Sequence, residues 1–329
     1  MAARSCVLIL GFHTKQLTER GTEVALLDYA ESARKLLGYD VRIFVPAGTE
    51  AIVEPVRRSV EDRFELVFYD SPQAISCDAL YVIKRGHPGR ITDGIPELNH
   101  AFFDGSHPHG HRFATVSDCV SHLAVRHVPL PRGRSLTLPR LRKPPVVPHI
   151  VSLPDVGDDL REELGIPEEA VVFGRHGGIG TFGIDFVKDA IRTALTMRDD
   201  LWFLFLNTLE FCDHPRILHL PLMTDRADIR RFVNTCDYMV HAHRLGETFG
   251  LAVAEFAFAG VPVMTYIGAP RLAQLDLLSD ELLLGYLEYD DVLRDFLMLR
   301  RRTAPAPTDV PDRYSPQRVM ARFDEVFLR

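Results

Sequence analysis

Residues 246–266 read GETFGLAVAEFAFAGVPVMTY and hold two glutamates, Glu247 and Glu255, in a stretch that is otherwise almost wholly apolar. Phe249, Leu251, Val253, Ala254, Phe256 and Phe258 leave no broad polar face around Glu255. A surface helix carries one apolar and one polar stripe, so an all-round apolar segment predicts a buried helix, here from about Phe249 to Ala259. Gly260 is its stop, and VPVMTY is the next strand, with Pro262 at the strand's first turn, where a missing N–H is tolerated. A carboxylate buried in such a helix without a partner costs several kcal/mol. Glu255 therefore demands one.

Working outward, strands and helices alternate. In the second half AVVFG, DLWFLFLN, RILHL and DYMVHA read as strands, separated by helices over GIDFVKDAIRTALTM and RADIRRFVNTC. The first half shows the same rhythm: CVLIL, a helix over GTEVALLDYAESARKLLG with Gly38 as C-cap, DVRIFVP, a helix over TEAIVEPVRRSVEDRF, then ELVFYD, DALYVIK and NHAFFDG. Such alternation predicts parallel sheets covered on both faces. Residues 129–148, rich in proline and basic residues, interrupt it as a loop or linker, and the domain boundary falls near Pro148 to Pro154. SPQRVMARFDEVFLR closes the chain as an amphipathic helix capped by Ser315, with Val319, Met320, Phe323, Val326 and Phe327 on or near one side.

Bulk properties narrow the class. A chain of 329 residues fits two domains. Hydrophobic content of 46% and charged content of 25% are those of a globular protein. The net charge of −7 argues against a general nucleic-acid binder. Five scattered cysteines, Cys6, Cys77, Cys119, Cys212 and Cys236, with no C-x-x-C pair, predict reduced thiols in a cytoplasmic protein. The short run CVLILGF is read as a first strand, and no segment is expected to span a membrane.

In doubly wound sheets ligands sit at the carboxyl ends of the strands. The helix of the opening stretch follows the strand DYMVHA, so its N-terminus points to that edge. Thr248 can cap it, and the N–H groups of Phe249, Gly250 and Leu251 lack intrahelical partners there. Free amides and a positive dipole end suit a phosphate, and Gly250 lets one approach the backbone closely. Glu247 lies just before this tip and Glu255 about two turns on. A nucleoside-diphosphate sugar spans that gap, with sugar hydroxyls at Glu247, diphosphate at the tip and ribose hydroxyls at Glu255, as its missing partner.

These residues also carry a resemblance. Glu247-Thr-Phe-Gly-Leu-Ala-Val-Ala-Glu255, followed by Phe-Ala-Phe-Ala-Gly260-Val-Pro262-Val, resembles the Glu–seven residues–Glu motif of retaining GT-B glycosyltransferases, nearest in type to family 4, glycosyl transferases group 1. VFGRHGG, VVPHIV, ATVSDCVSHLA and RGTEVALLDYAESARKLLGYDVRIF agree in order and spacing, and the likeness is strongest over residues 147–270. It implies an α/β GT-B fold, with two doubly wound Rossmann-like domains facing a central cleft. The expected domains are an acceptor-side domain over 1–148, a nucleotide-sugar domain over 149–312, and a helix over 313–329 packing back on the first.

The resemblance also implies roles. Glu255 would bind ribose, Glu247 the donor sugar, and Arg175, after Gly174, the diphosphate; donor contacts would extend to Thr248, Phe249, Gly250, Leu251, Gly177, Gly178, Asn207 and Arg244. The family's usual lysine soon after Gly-Arg is absent until Lys188, so Arg244 or Arg271 would substitute. The family commonly has a histidine facing the donor sugar. DGSHPHGHRF offers His107, His109 and His111 after NHAFFDG, at the expected carboxyl edge of the first sheet, and His109 is the choice. A metal on these three histidines lacks accompanying ligands beyond Asp104. Neither metal nor cofactor is expected. The basic run Arg132, Arg134, Arg140, Arg142 and Lys143 reads as a solvated loop.

A rival reading comes from Gly178-Ile-Gly180-Thr-Phe-Gly183, which fits the G-x-G-x-x-G fingerprint of an NAD(P)-dependent oxidoreductase. However, the preceding strand ends at about Gly174, too early for the tight turn, and the next strand ends on Asn207 and Thr208, where an acid is needed. The expected activity is metal-independent, hexosyltransferase-like transfer from a nucleotide sugar to a saccharide, lipid-linked sugar or small-molecule acceptor, with retention. A non-catalytic sugar-nucleotide-binding protein is the second alternative.

Overall fold

The computed structural model describes residues 8–18, 20–84, 86, 88–123, 125–129, 135–139 and 142–329. Cys6 and, from the basic run, Arg132, Arg134 and Arg140 lie outside them. The chain divides into two compact units, Met1–Ile150 with Tyr314–Arg329, and Val151–Arg313.

In the first unit β1 (Ile9–His13), α1 (Gly21–Leu37), β2 (Asp40–Pro46), α2 (Glu54–Glu61), β3 (Glu65–Tyr69), β4 (Ala79–Lys84), β5 (Glu97–Ala101), β6 (Arg112–Thr115) and α3 (Asp118–Ser121) follow in turn. The sheet order is β3-β2-β1-β4-β5-β6, and every pairing is parallel. Gly38 ends α1 in the left-handed region at φ 74°, as a C-cap glycine does. Two expectations change. The helix expected from Thr49 begins only at Glu54, because Pro55 fits the first turn of a helix and not its interior. In place of a plain loop, β7 (Val125–Pro129) and β8 (Ser135–Pro139) form an antiparallel ribbon. Each of its strands ends in a proline, which a two-stranded ribbon tolerates at its edges.

The second unit contains β9 (Val171–Arg175), α4 (Asp185–Met197), β10 (Leu201–Leu206), β11 (Ile217–Leu220), α5 (Arg226–Thr235), β12 (Tyr238–His241), β13 (Gly246–Glu247), α6 (Leu251–Phe258), β14 (Val263–Tyr266), β15 (Arg271–Leu272), β16 (Leu283–Tyr286), α7 (Tyr289–Met298) and α8 (Val310–Arg313). Its main sheet runs β11-β10-β9-β12-β14-β16, again parallel throughout. β9 is buried at every position, as an apolar central strand covered on both faces must be. The Phe173 ring lies 5.4 Å from Phe203 and 5.0 Å from Phe296, joining sheet to α7.

Helix α9 (Pro316–Phe323) belongs to the first unit. The Ser315 hydroxyl accepts the Arg318 N–H at its start, and Phe323 packs 5.5 Å from Tyr29 and 5.4 Å from Tyr81. Arg322 Nε donates to Val146 O at 3.1 Å.

Both main sheets share one order, third-second-first-fourth-fifth-sixth strand, which is that of dinucleotide-binding folds. The order reverses between β1 and β4 in the first unit and between β9 and β12 in the second. Ligands of such sheets bind at the carboxyl ends of the strands flanking that reversal. In the second unit those ends are Arg175 and His241.

Candidate functional site

Arg175 closes β9 and is buried at 3% exposure. Its Nη2 donates to Gly178 O at 2.7 Å and Thr181 Oγ1 at 2.6 Å, and its Nη1 to Asn207 O at 3.0 Å and to Thr208 Oγ1. Asn207 stands in the left-handed region at φ 50° and donates from Nδ2 to Gly177 O at 3.1 Å. With Leu206 O at 3.4 Å these make five acceptors, which engage the groups a diphosphate would use. The guanidinium thus ties the glycine-rich loop after β9 to the end of β10. Burial pulls its pKa down, against the charge of Glu247, to about 10, so it stays cationic at neutral pH.

Helix α6 starts two residues later than the sequence suggests. Gly250, at φ 93°, is its N-cap, with no side-chain cap, so Thr248 lies outside the helix and does not cap it. The left-handed turn at Gly250 redirects the chain, and the amides at the tip are those of Leu251, Ala252 and Val253. Phe249 is buried. Glu255 is 2% exposed, and its partners come from the protein. Arg226 Nη1, at the start of α5, donates to Oε1 at 2.7 Å. His176 Nε2 lies 2.9 Å from Oε2 without directing its N–H along that line, and its ring stacks on Phe256 at 5.7 Å. Burial raises the carboxyl's pKa, but His176 and Arg226 outweigh it and hold Glu255 ionised below the usual range. The buried carboxylate is thus partnered by the Arg226 guanidinium and the His176 imidazole, and the helix does not wait for a ribose to balance its charge.

Glu247 sits in β13, beside the tip. Its Oε1 lies 3.1 Å from His241 Nε2 and 3.2 Å from His243 Nδ1. Burial raises its pKa, and the two histidine hydrogen bonds more than reverse this, leaving it at about 2. Its N–H donates to Gln274 Oε1 at 3.2 Å, and Gln274 Nε2 donates to Thr265 Oγ1 at 3.4 Å. Thr265 Oγ1 in turn lies 2.8 Å from His241 Nδ1, and Tyr286 OH donates to His241 O at 2.9 Å. Arg244 is exposed, with one long bond from Nη2 to Gly183 O at 3.4 Å. Lys188 pairs with Asp185.

In the first unit the placement of His109 changes. Residues 102–111 leave the carboxyl end of β5 and must return to its amino end, because β6 is parallel to β5 and begins opposite Leu98. Accordingly His111 N donates to Glu97 O at 2.9 Å and Asn99 Nδ2 to His109 O at 3.1 Å. His109 is therefore not at the carboxyl edge. Its Nδ1 is 2.6 Å from His107 O and its ring 5.8 Å from Phe113. The histidine at the carboxyl end beside the sheet's reversal is His13, whose Nε2 meets Tyr69 OH at 2.7 Å. Burial, with help from Lys15 and Lys84, lowers its pKa to about 4.

No protein-family profile matches the sequence, and no curated protein matches it. Solved structures do. Anabaena HepE, crystallised with UDP-glucose, aligns with a TM-score of 0.64 over 97% of this chain and 95% of its own, at 13% identity. A glycosyltransferase from Rickettsia africae aligns with a TM-score of 0.61 over 98% and 94%, at 12% identity. WaaG, a glycosyltransferase involved in lipopolysaccharide biosynthesis, aligns with a TM-score of 0.58 over 96% and 94%, at 11% identity. The fold is GT-B.

Within this GT-B chain the dinucleotide fingerprint lacks its physical reasons. A Cβ on Gly180 or Gly183 would meet nothing within 4 Å, and neither has a left-handed φ. β9 runs to Arg175, three residues before Gly178, and β10 is followed by Asn207, not by an acid. Among the described residues no helix is long and apolar enough to cross a membrane.

Sequence reading missed His176, Arg226, His241, His243, Thr265 and Gln274. The spacing His241-x-His243-x3-Glu247 was a readable signal for two of them. Arg226 reaches Glu255 from a different helix, and no local pattern announces it.

Proposed function

We propose that the protein is a glycosyltransferase that moves a hexose-like sugar from a nucleoside-diphosphate sugar to an acceptor in the cytoplasm, with retention and with no metal in the chemistry. The observation that carries this reading is the pair Glu247 and Glu255 set on either side of the α6 tip, at the strand-order reversal of the second GT-B sheet.

Each group then has a task. The amides of Leu251, Ala252 and Val253, with Gly250 and the Gly177–Gly178 backbone, receive the diphosphate. Arg226 occupies one lone pair of Glu255 Oε1, which leaves acceptor capacity for ribose hydroxyls. Glu247, ionised, orients the sugar hydroxyls. Arg175 works by holding the glycine-rich loop in shape beside Asn207, while exposed Arg244 is the cation free to swing toward the departing diphosphate. Charge stabilisation of this kind, aimed at the leaving group as the sugar becomes oxocarbenium-like, supplies most of the catalysis. The first unit is the acceptor side, and the acceptor is a saccharide, lipid-linked sugar or small molecule.

The test is a thermal-shift screen with UDP, GDP, ADP, CDP and dTDP, with the uracil nucleotide tried first because HepE was solved with UDP-glucose. One nucleoside diphosphate is expected to raise the melting temperature by several degrees, and NAD(H) and NADP(H) to leave it unchanged. EDTA is expected to preserve both this shift and turnover of the matching nucleotide sugar. A selective response to NAD(H) would overturn the reading. Nucleotide binding with no turnover against any acceptor or water would favour the non-catalytic binder.

A further inference from the structure

His241, the last residue of β12, and His243, two residues beyond it, have no task in the transfer just proposed. Both rings reach the same oxygen, Oε1 of Glu247. The turn that follows is closed by Gly246 N–H donating to His243 O at 3.0 Å, and it brings Glu247 back to both rings. Gly246 makes this turn possible: it stands at φ 66°, and a Cβ there would lie 1.7 Å from Arg271 O. One ligand atom from each of His241, His243 and Glu247 falls within 4.8 Å of the others.

The geometry is close to that of a coordination shell. Ligands bonded at about 2.0–2.1 Å to a tetrahedral cation lie about 3.3 Å apart. The two N···O separations here are 3.1 and 3.2 Å. The ligand nitrogens lie within 4.8 Å of each other, and His243, the more exposed ring, can rotate to set their separation.

The surroundings fix the orientation of the His241 ring. Gln274 takes the Glu247 N–H on Oε1, so its amide presents Nε2 to Thr265 Oγ1 and makes that oxygen an acceptor. His241 Nδ1 lies 2.8 Å from the same hydroxyl, which can accept from or donate to it and so anchors the ring in either tautomer. Without a cation His241 Nε2 donates its proton to Glu247 Oε1. Metal loading would displace that proton and leave the Nε2 lone pair as a ligand, with Nδ1–H turned to Thr265 Oγ1. Buried histidine ligands of metals are oriented in this way by a partner on the other ring nitrogen.

We propose that His241 Nε2, His243 Nδ1 and Glu247 Oε1 bind one divalent transition cation of the Zn2+ class, with a further coordination position open to water or a ligand oxygen. Two imidazoles and one carboxylate select zinc, cobalt or nickel over magnesium or calcium, which favour all-oxygen sets. Loading would draw Glu247 into the ligand set and so act as a brake on sugar transfer. That last clause rests on the transferase reading; the binding itself does not.

The experiment uses metal-stripped full-length protein titrated with Co2+, and with Zn2+ in competition with a chromophoric chelator. One equivalent is expected to bind at micromolar affinity or tighter, with the visible absorption of a four- or five-coordinate cobalt site, while Mg2+ does not compete. His243→Ala and Glu247→Gln are each expected to weaken binding at least tenfold, and Thr265→Val by about 10- to 100-fold through loss of the orienting contact. His241 is buried and its loss endangers folding, so the test rests on these variants. No binding at micromolar metal would overturn the proposal. So would unchanged affinity in both His243→Ala and Glu247→Gln, or binding abolished by joint alanine replacement of His107, His109 and His111.

Discussion

Arg226 Nη1 stands 2.7 Å from Oε1 of Glu255, so the first residue of one helix neutralises the carboxylate buried in another. Glu255→Gln keeps the shape and leaves Arg226 and His176 facing a neutral amide. Weakening of nucleoside-diphosphate binding by about 1–3 kcal/mol is expected, the worth of a charge-assisted hydrogen bond, with the fold retained. Arg226→Ala is expected to act first on stability. Breaking a buried pair costs about 3–5 kcal/mol, and Arg226, with its side chain 28% exposed, should lose less, about 1–3 kcal/mol. Calorimetric titration and urea unfolding separate the two. Wild-type affinity in folded Glu255→Gln would confine Glu255 to the ion cluster.

Gly246→Ala tests whether the turn that presents Glu247 is obligatory. The added methyl would sit 1.7 Å from Arg271 O, in a left-handed conformation that L side chains avoid. The β13–β15 pairing must open to admit it. A loss of at least about 2 kcal/mol in unfolding free energy is expected, together with loss of the histidine contacts to Glu247. A variant as stable as the wild type would mean that the turn is not held by this glycine.

Acid sensitivity is expected to concentrate in the first unit. Burial lowers the pKa of His13 to about 4, and of His100 and His149 to about 3 each. Each is protonated more readily in the unfolded chain, near its ordinary value of 6.5, so the unfolded state binds more protons in between. Stability therefore rises with pH from about 4 to 6.5, by up to about 1.4 kcal/mol per pH unit for each such histidine. His13→Gln should remove about one proton's worth of that slope in urea unfolding between pH 4 and 6.5. An unchanged slope would show that His13 titrates normally.

Much of the fold was legible because it is written locally. Apolar runs such as VVFG and LFL can only be central strands between helices, and their alternation with helical spacing fixes a parallel sheet. The opening stretch announced a buried helix with a carboxylate in it for the same reason. What was not legible depends on chain direction and distant partners. Nothing near Glu255 in sequence announces Arg226. The capping turn shifted because Gly250 adopts a left-handed conformation that its neighbours do not reveal. The proline-rich segment hid a strand pair, since proline signals a loop and an edge strand alike.

His109 shows how direction decides a role. Read along the sequence, it follows a strand and so suggests the carboxyl edge, where ligands bind. In space β6 starts beside the amino end of β5, and the connection must cross back before it begins. His109 lies on the return, its Nδ1 spent on His107 O and its ring against Phe113, while Nε2 is buried and faces no partner among the described residues. A side chain so placed holds the crossover to the sheet. His109→Ala is therefore expected to lower stability by about 1–2 kcal/mol through the lost packing and hydrogen bond, and turnover by less than about tenfold. The measurement pairs urea unfolding with steady-state turnover of the nucleotide sugar that stabilises the wild type. A fall of about 10²-fold in turnover with unfolding unchanged is the size of a lost positioned polar group, and it would return His109 to the reacting centre.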